Sequence, residues 1–125
     1  MFIGREEELK FLEDRYNSAD GQLVVLYGRR RVGKTELLRQ FCQDKEHIFY
    51  TCTEIIDEKQ LEAFSQRLLE KNHQAAKYIT RFSDWEQALL SISELAKEKK
   101  IVVVIDEFPY MVKGNNAIPS ILQKL

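Results

Sequence analysis

Gly28-Arg29-Arg30-Arg31-Val32-Gly33-Lys34-Thr35 fits the pattern G-x-x-x-x-G-K-[ST] at every fixed position, and the fold follows from how it is read. An apolar run, Leu23-Val24-Val25-Leu26-Tyr27, precedes it. After it, Leu37, Leu38, Phe41 and Cys42 recur at helical spacing, so the stretch joins a strand to a helix, which is the context this pattern requires. The glycines let the backbone wrap closely around an anion. The loop N–H groups of Arg29, Arg30, Arg31 and Val32 then converge on it at the positive end of the helix dipole. Lys34 adds a point charge for the outer phosphates, and the Thr35 hydroxyl offers one oxygen to Mg²⁺. A nucleoside triphosphate site is the expected outcome; a Gly-containing turn with no ligand is the plainer reading. A run of arginines is usually a solvated face, so their backbone amides weigh more here than their side chains.

Working downstream, His47-Ile48-Phe49-Tyr50-Thr51-Cys52 is rich in β-branched and aromatic residues and reads as a second strand. Asp57 with Gln60 resembles a capping pair before a helix whose apolar face is Leu61, Phe64 and Leu68. The stretch 72–82 is poorly periodic and reads as a mixed connection. Ser83-Asp84-Trp85-Glu86 is a better capping box, followed by the buried stripe Trp85, Ala88, Leu89, Ile92, Leu95 and Ala96. Ile101-Val102-Val103-Val104-Ile105 reads as a strand buried on both faces. Upstream, Leu9, Leu12 and Tyr16 mark a first helix that ends near Asn17. Strands alternating with helices predict a parallel α/β sheet with right-handed crossovers.

The buried strand ends in Asp106-Glu107. An acid at the end of a parallel strand beside a phosphate loop helps hold Mg²⁺, which fits Asp106. The next carboxylate, Glu107, stands where it can reach an attacking water as general base. A solvated turn is the plain alternative for an Asp-Glu pair. Asp106-Glu107-Phe108-Pro109 lacks the Asp-x-x-Gly turn of a GTPase, and no guanine-reading Asn-Lys-x-Asp occurs.

Composition bounds the remaining classes. A chain of 125 residues with 44% hydrophobic and 31% charged content holds at most one domain. A net charge of -1 gives no support to nucleic-acid binding through this stretch. Cys42 and Cys52 have neither metal-ligand nor disulfide-framework spacing and read as buried thiols. No signal-like or membrane-length apolar run occurs, so cytoplasm is the default location. His47 and His73 stand apart from any metal-like cluster.

Phe2-Ile3-Gly4-Arg5-Glu6 with Leu9, the loop from Gly28 to Thr35, and Ile105-Asp106-Glu107-Phe108-Pro109-Tyr110 together resemble the archaeal-type P-loop ATPases, an AAA+-related branch close to the STAND signal-transduction ATPases. The resemblance implies a P-loop NTPase three-layer sandwich of the ASCE type, with residues 1–125 as the amino-terminal part of the ATPase domain. It implies that Ile3, Gly4 and Arg5 help form an adenine pocket; by sequence alone Arg5 is a surface cation near a helix start. It also implies further parts after Leu125: a sensor strand, an arginine facing the γ-phosphate, and C-terminal regions through which nucleic acid would be reached. The expected function is Mg·ATP binding with hydrolysis to ADP and phosphate in the complete protein. A slowly hydrolysing nucleotide switch and a phosphate-loop kinase are the alternatives. In this family a later strand lies between the loop strand and the Asp-Glu strand. If those family positions are kept, two inner edges stand open, to be closed by pairing the two strands directly, by borrowing a strand from another copy, or left in a partly ordered or aggregating chain; self-association is the expected outcome.

Overall fold

The computed structural model describes residues 5–18, 23–28 and 34–124. Three parallel strands, β1 (Leu23–Gly28), β2 (His47–Thr51) and β3 (Ile101–Asp106), form one sheet in the order β1-β3-β2. β3 is central because every one of its residues is buried, and a strand apolar on both sides is stable only when helices cover both faces. Its alternate side chains divide the core. Ile101, Val103 and Ile105 pack with Ile48, Tyr50, Phe64, Leu68, Trp85, Leu89 and Ile92, whereas Val102 and Val104 pack with Leu38, Phe41 and Cys42. On the first face lie α3 (Asp57–Lys71), α5 (Trp85–Glu98), α6 (Phe108–Gly114) and α7 (Ile118–Gln123); on the second lie α1 (Arg5–Ser18) and α2 (Lys34–Cys42). This is a three-layer α/β sandwich of the P-loop NTPase kind. The short α4 (His73–Ala76) occupies part of the expected connection, with Asn72 as its cap, accepting from the Ala75 amide at 3.0 Å.

The strand order departs from the expected one. β1 pairs directly with β3 along its whole length, from Leu23↔Ile101 to Gly28↔Asp106. Both backbone edges of β3 are thereby satisfied, and no open inner edge remains among the described residues. The inner edges on which the expected self-association rests are closed in this sheet by direct pairing.

Two helix starts also differ. Ile56, with no side-chain bond, precedes α3, and Asp57 and Gln60 bond elsewhere, as described below. Asp84, not Ser83, caps α5, its Oδ1 accepting from the Gln87 amide at 2.8 Å. Lys100, which follows α5, reaches across to α1. Its ammonium donates to the Tyr16 carbonyl near the end of α1 and lies over the Tyr16 ring at 4.2 Å, so it meets the negative end of a different helix.

Candidate functional site

Parallel strands bring their carboxyl ends to one edge of the sheet, and ligands bind in open α/β sheets at that edge. β1 delivers Gly28 there in register with Asp106. Six residues on, α2 begins with Lys34 and Thr35. The Thr35 Oγ1 donates to Asp106 Oδ2 at 2.7 Å, a bond across 71 positions of sequence. Asp106 is 1% exposed, and its Oδ1 accepts from the Glu107 amide at 3.1 Å. A hydroxyl has one proton and two lone pairs. Thr35 spends its proton on Asp106, which leaves its oxygen free to face a cation.

Glu107 has φ 57° and ψ 38°, the left-handed region. β3 ends at Asp106 and α6 begins at Phe108, so a single residue turns the chain from strand to helix. A non-glycine residue in that region carries local strain, and such strain collects at functional sites. Pro109 follows inside the first turn of α6, where its missing N–H costs no helix bond. Phe108 is buried and stacks on Tyr27 with ring centroids 4.6 Å apart, tying the start of α6 to the end of β1.

Thr35 of α2 and Asp106 of β3 are thus brought together, with Glu107 next in the chain after Asp106, and Lys34 adjoins Thr35 in sequence at the start of α2. Ile3, Gly4 and the loop residues Arg29, Arg30, Arg31, Val32 and Gly33 lie outside the described residues, and Arg5 is placed through its backbone alone, as the first residue of α1. Among the described residues no group of three or more His, Cys, Asp or Glu side chains is assembled to hold a metal ion. Two hard oxygens, Thr35 Oγ1 and Asp106 Oδ2, fit magnesium, which ordinarily takes one or two protein ligands and completes its shell with water and phosphate oxygens.

A family model described as an ATPase domain predominantly from Archaea matches residues 2–125. The chain belongs to that ATPase family. It is 34% identical over 125 residues to an uncharacterized protein of Methanocaldococcus jannaschii, a match that covers 100% of this chain and 26% of that relative. The chain therefore spans about a quarter of that relative's length. An uncharacterized ATP-binding protein of the same organism is 52% identical over 46 residues, 37% of this chain and 78% of that relative. No solved structure matches the chain. Family membership supports nucleotide binding, and among the described residues no helix is long and apolar enough to cross a membrane.

Behind the strand ends of this ATPase domain lies a polar group that motif reading missed. Gln60 is 1% exposed. Its Oε1 accepts from the Tyr50 hydroxyl and from the Thr53 amide at 3.2 Å, and its Nε2 donates to the Thr53 carbonyl at 2.8 Å. It therefore fixes the turn that leaves β2. One signal was available: Gln60, Phe64 and Leu68 share one helical face, so a polar residue stood on the apolar stripe. Asp57 accepts from Trp85 Nε1 at 2.7 Å. Trp85 is buried core, as its stripe indicated, but its indole N–H also anchors the start of α3. Gly114, ending α6, packs closely on the same junction: a Cβ there would stand 3.3 Å from the Asp57 Cβ and press on the start of α3.

Cys52 extends β2 by one residue, its amide donating to the Asp106 carbonyl at 2.8 Å. Burial pushes its thiol up to about 12, and the nearby carboxylates of Asp106 and Glu107 add to the rise. Cys42 is pushed up to about 11, again chiefly by burial. Both are protonated, unreactive core thiols at neutral pH.

Proposed function

We propose that this domain binds Mg·ATP at the carboxyl end of the sheet and that the complete protein hydrolyses it to ADP and phosphate to drive a conformational change. The Thr35–Asp106 bond carries the reading, because it couples the end of the phosphate loop to the acid of the central strand. In this reading the backbone N–H groups from Gly28 to Thr35 cradle the phosphates, and the Lys34 ammonium lies against the β- and γ-phosphates. Thr35 and Asp106 hold the magnesium ion, which would supply positive charge against the phosphate oxygens. Glu107 orients the attacking water and takes its proton as the oxygen–phosphorus bond forms, with ADP leaving. Ile3, Gly4 and Arg5 form the adenine side of the pocket.

Calorimetry with Mg·ATP tests the assignment. Lys34→Ala should lower affinity by roughly tenfold or more, since a charge-assisted phosphate contact is worth about 1.5–3 kcal/mol, while the circular-dichroism spectrum stays the same. Unchanged affinity would overturn the site. Equal binding of ATP and GTP would remove the adenine pocket but leave the phosphate site standing.

A further inference from the structure

Among the described residues the outer edge of β2 is unpaired, and a groove of about 430 Å³ runs along it. All of His47 to Thr51 form its floor; Arg39 of α2 stands on one side, and Ala63, Arg67, Glu70 and Lys71 of α3 on the other. The hydrogen-bond phase of the strand follows from its ends. The Val102 amide donates to the Glu46 carbonyl at 3.0 Å, and the Cys52 amide donates to the Asp106 carbonyl at 2.8 Å. Because alternate residues of a strand turn their backbone groups to opposite sides, Ile48 and Tyr50 face β3. His47, Phe49 and Thr51 therefore present N–H and C=O groups to the groove.

Charge selects the occupant. Three cations, Arg39, Arg67 and Lys71, line the groove against one carboxylate, Glu70. Arg67 shares Glu70 only at 3.8 Å and Lys71 reaches Glu46 at 3.6 Å, both as solvated pairs, which are weak and easily exchanged. Arg39 lies over the Phe49 ring, its Cζ 4.3 Å from the centroid, which keeps its guanidinium at the wall of the groove. A second copy of this chain would bring the same cations face to face across paired β2 edges, so the surface is set against it. A nucleic-acid strand would meet the charge but leave the alternating N–H and C=O groups of the edge unpaired.

We infer that the β2 edge is a docking surface for an extended acidic peptide segment, which adds to the sheet as a fourth strand between α2 and α3. The backbone of the peptide pairs with His47, Phe49 and Thr51, and its acidic side chains meet Arg39, Arg67 and Lys71; this is strand addition with charge as the selector. The surface is distinct from the nucleotide site, and its test does not depend on hydrolysis.

The probe is a capped hexapeptide of alternating Glu and Val, titrated into the purified protein by fluorescence anisotropy. Saturable binding is expected, weakened about tenfold or more when Lys replaces Glu in the peptide or when Arg67→Glu and Lys71→Glu reverse the groove. N-methylation separates strand pairing from simple charge attraction. Methyl groups on one alternate set of peptide amides should abolish binding, and those on the other set should leave it intact. Equal effects of the two sets would overturn the proposal, as would binding of an oligothymidylate in place of the peptide. It would also fail if sedimentation showed concentration-dependent dimers that Arg67→Glu dissolves, since a second copy would then own the edge.

Discussion

The carboxyl end of β3 and the β2–α3 junction each bury one polar side chain to 1% exposure, Asp106 in the first and Gln60 in the second. Burying a polar group costs free energy unless hydrogen bonds replace water, and both regions meet that demand in different ways. At the junction, Gln60 spends its carbonyl on Tyr50 and Thr53 and an amide proton on Thr53; its bonds close on the protein's own loop. At the strand end, the Asp106 oxygens each hold one donor among the described residues, Thr35 and the Glu107 amide, and a carboxylate accepts at about four positions. What remains is acceptor capacity at the ligand-binding edge. A buried group whose oxygen is fully taken up by the protein's own loop builds structure, whereas one with acceptor positions left over at a strand end is arranged for something that arrives later.

The sharpest way to break this contrast is at Glu107, the one non-glycine residue among the described residues held in the left-handed region. Glu107→Gln preserves size and backbone geometry but cannot take a proton. Steady-state phosphate release by the complete protein should fall by roughly a hundredfold or more, the contribution typical of a general base, with Mg·ATP affinity little changed. Unaltered release would make Glu107 a turn residue alone, and would favour the slowly hydrolysing switch if the wild type is also slow.

Asp106→Asn probes the spare capacity itself. The amide oxygen can serve only one of the two donors, Thr35 and the Glu107 amide, so stability should fall by the worth of one hydrogen bond, ~1 kcal/mol, while the magnesium concentration needed for half-maximal ATP binding should rise by about 10–100-fold. Gln60→Leu should cost stability alone. Left without its partners, the Tyr50 hydroxyl and Thr53 backbone lose bonds worth about 1–3 kcal/mol of stability, read as a lower urea midpoint, with the affinity of the still-folded protein for Mg·ATP unchanged. A loss of nucleotide affinity in Gln60→Leu without loss of stability would join the two regions into one site.

These regions also differed in how far they could be read from sequence. The strand-end site rests on short-range patterns. A fixed spacing from Gly28 to Thr35, an apolar run before Asp106-Glu107, and helical spacing in Leu37, Leu38 and Phe41 each encode one element and its place at the edge of a parallel sheet. What joined them, the Thr35–Asp106 bond across the sheet, follows once both elements are right. The junction depends on long-range packing. Asp57 and Gln60 carry the letters of a capping pair, but Trp85 and Tyr50, distant in sequence, claim their side chains. Local propensity then yields to tertiary bonds. Strand order was illegible for the same reason: apolar runs mark Leu23–Tyr27 and Ile101–Ile105 as strands, yet neither run says which strand will be its neighbour. The direct β1–β3 register is set by the need to pair both edges of a strand buried on both faces.

The smallest expected effect lies between the two regions, at Cys52, whose amide bonds Asp106 while its side chain sits in the core with Tyr50. In the unfolded chain the thiol titrates near its ordinary value of 9.0, and in the fold burial raises it to about 12. Between those values the folded state holds the proton more tightly than the unfolded one, so stability falls as pH rises. The stabilisation is complete below about pH 9, is lost progressively up to about 12, and contributes no pH dependence near neutrality. Urea unfolding of Cys52→Ala followed from pH 8 to 10.5 should show a shallower decline than the wild type, on top of a constant loss from the smaller side chain. The Cys42 thiol, raised to about 11, contributes its own slope and is removed in a Cys42→Ala background. Parallel slopes with and without Cys52 would mean that water reaches this thiol in the native state. The wall separating the nucleotide end of β3 from the core would then be open.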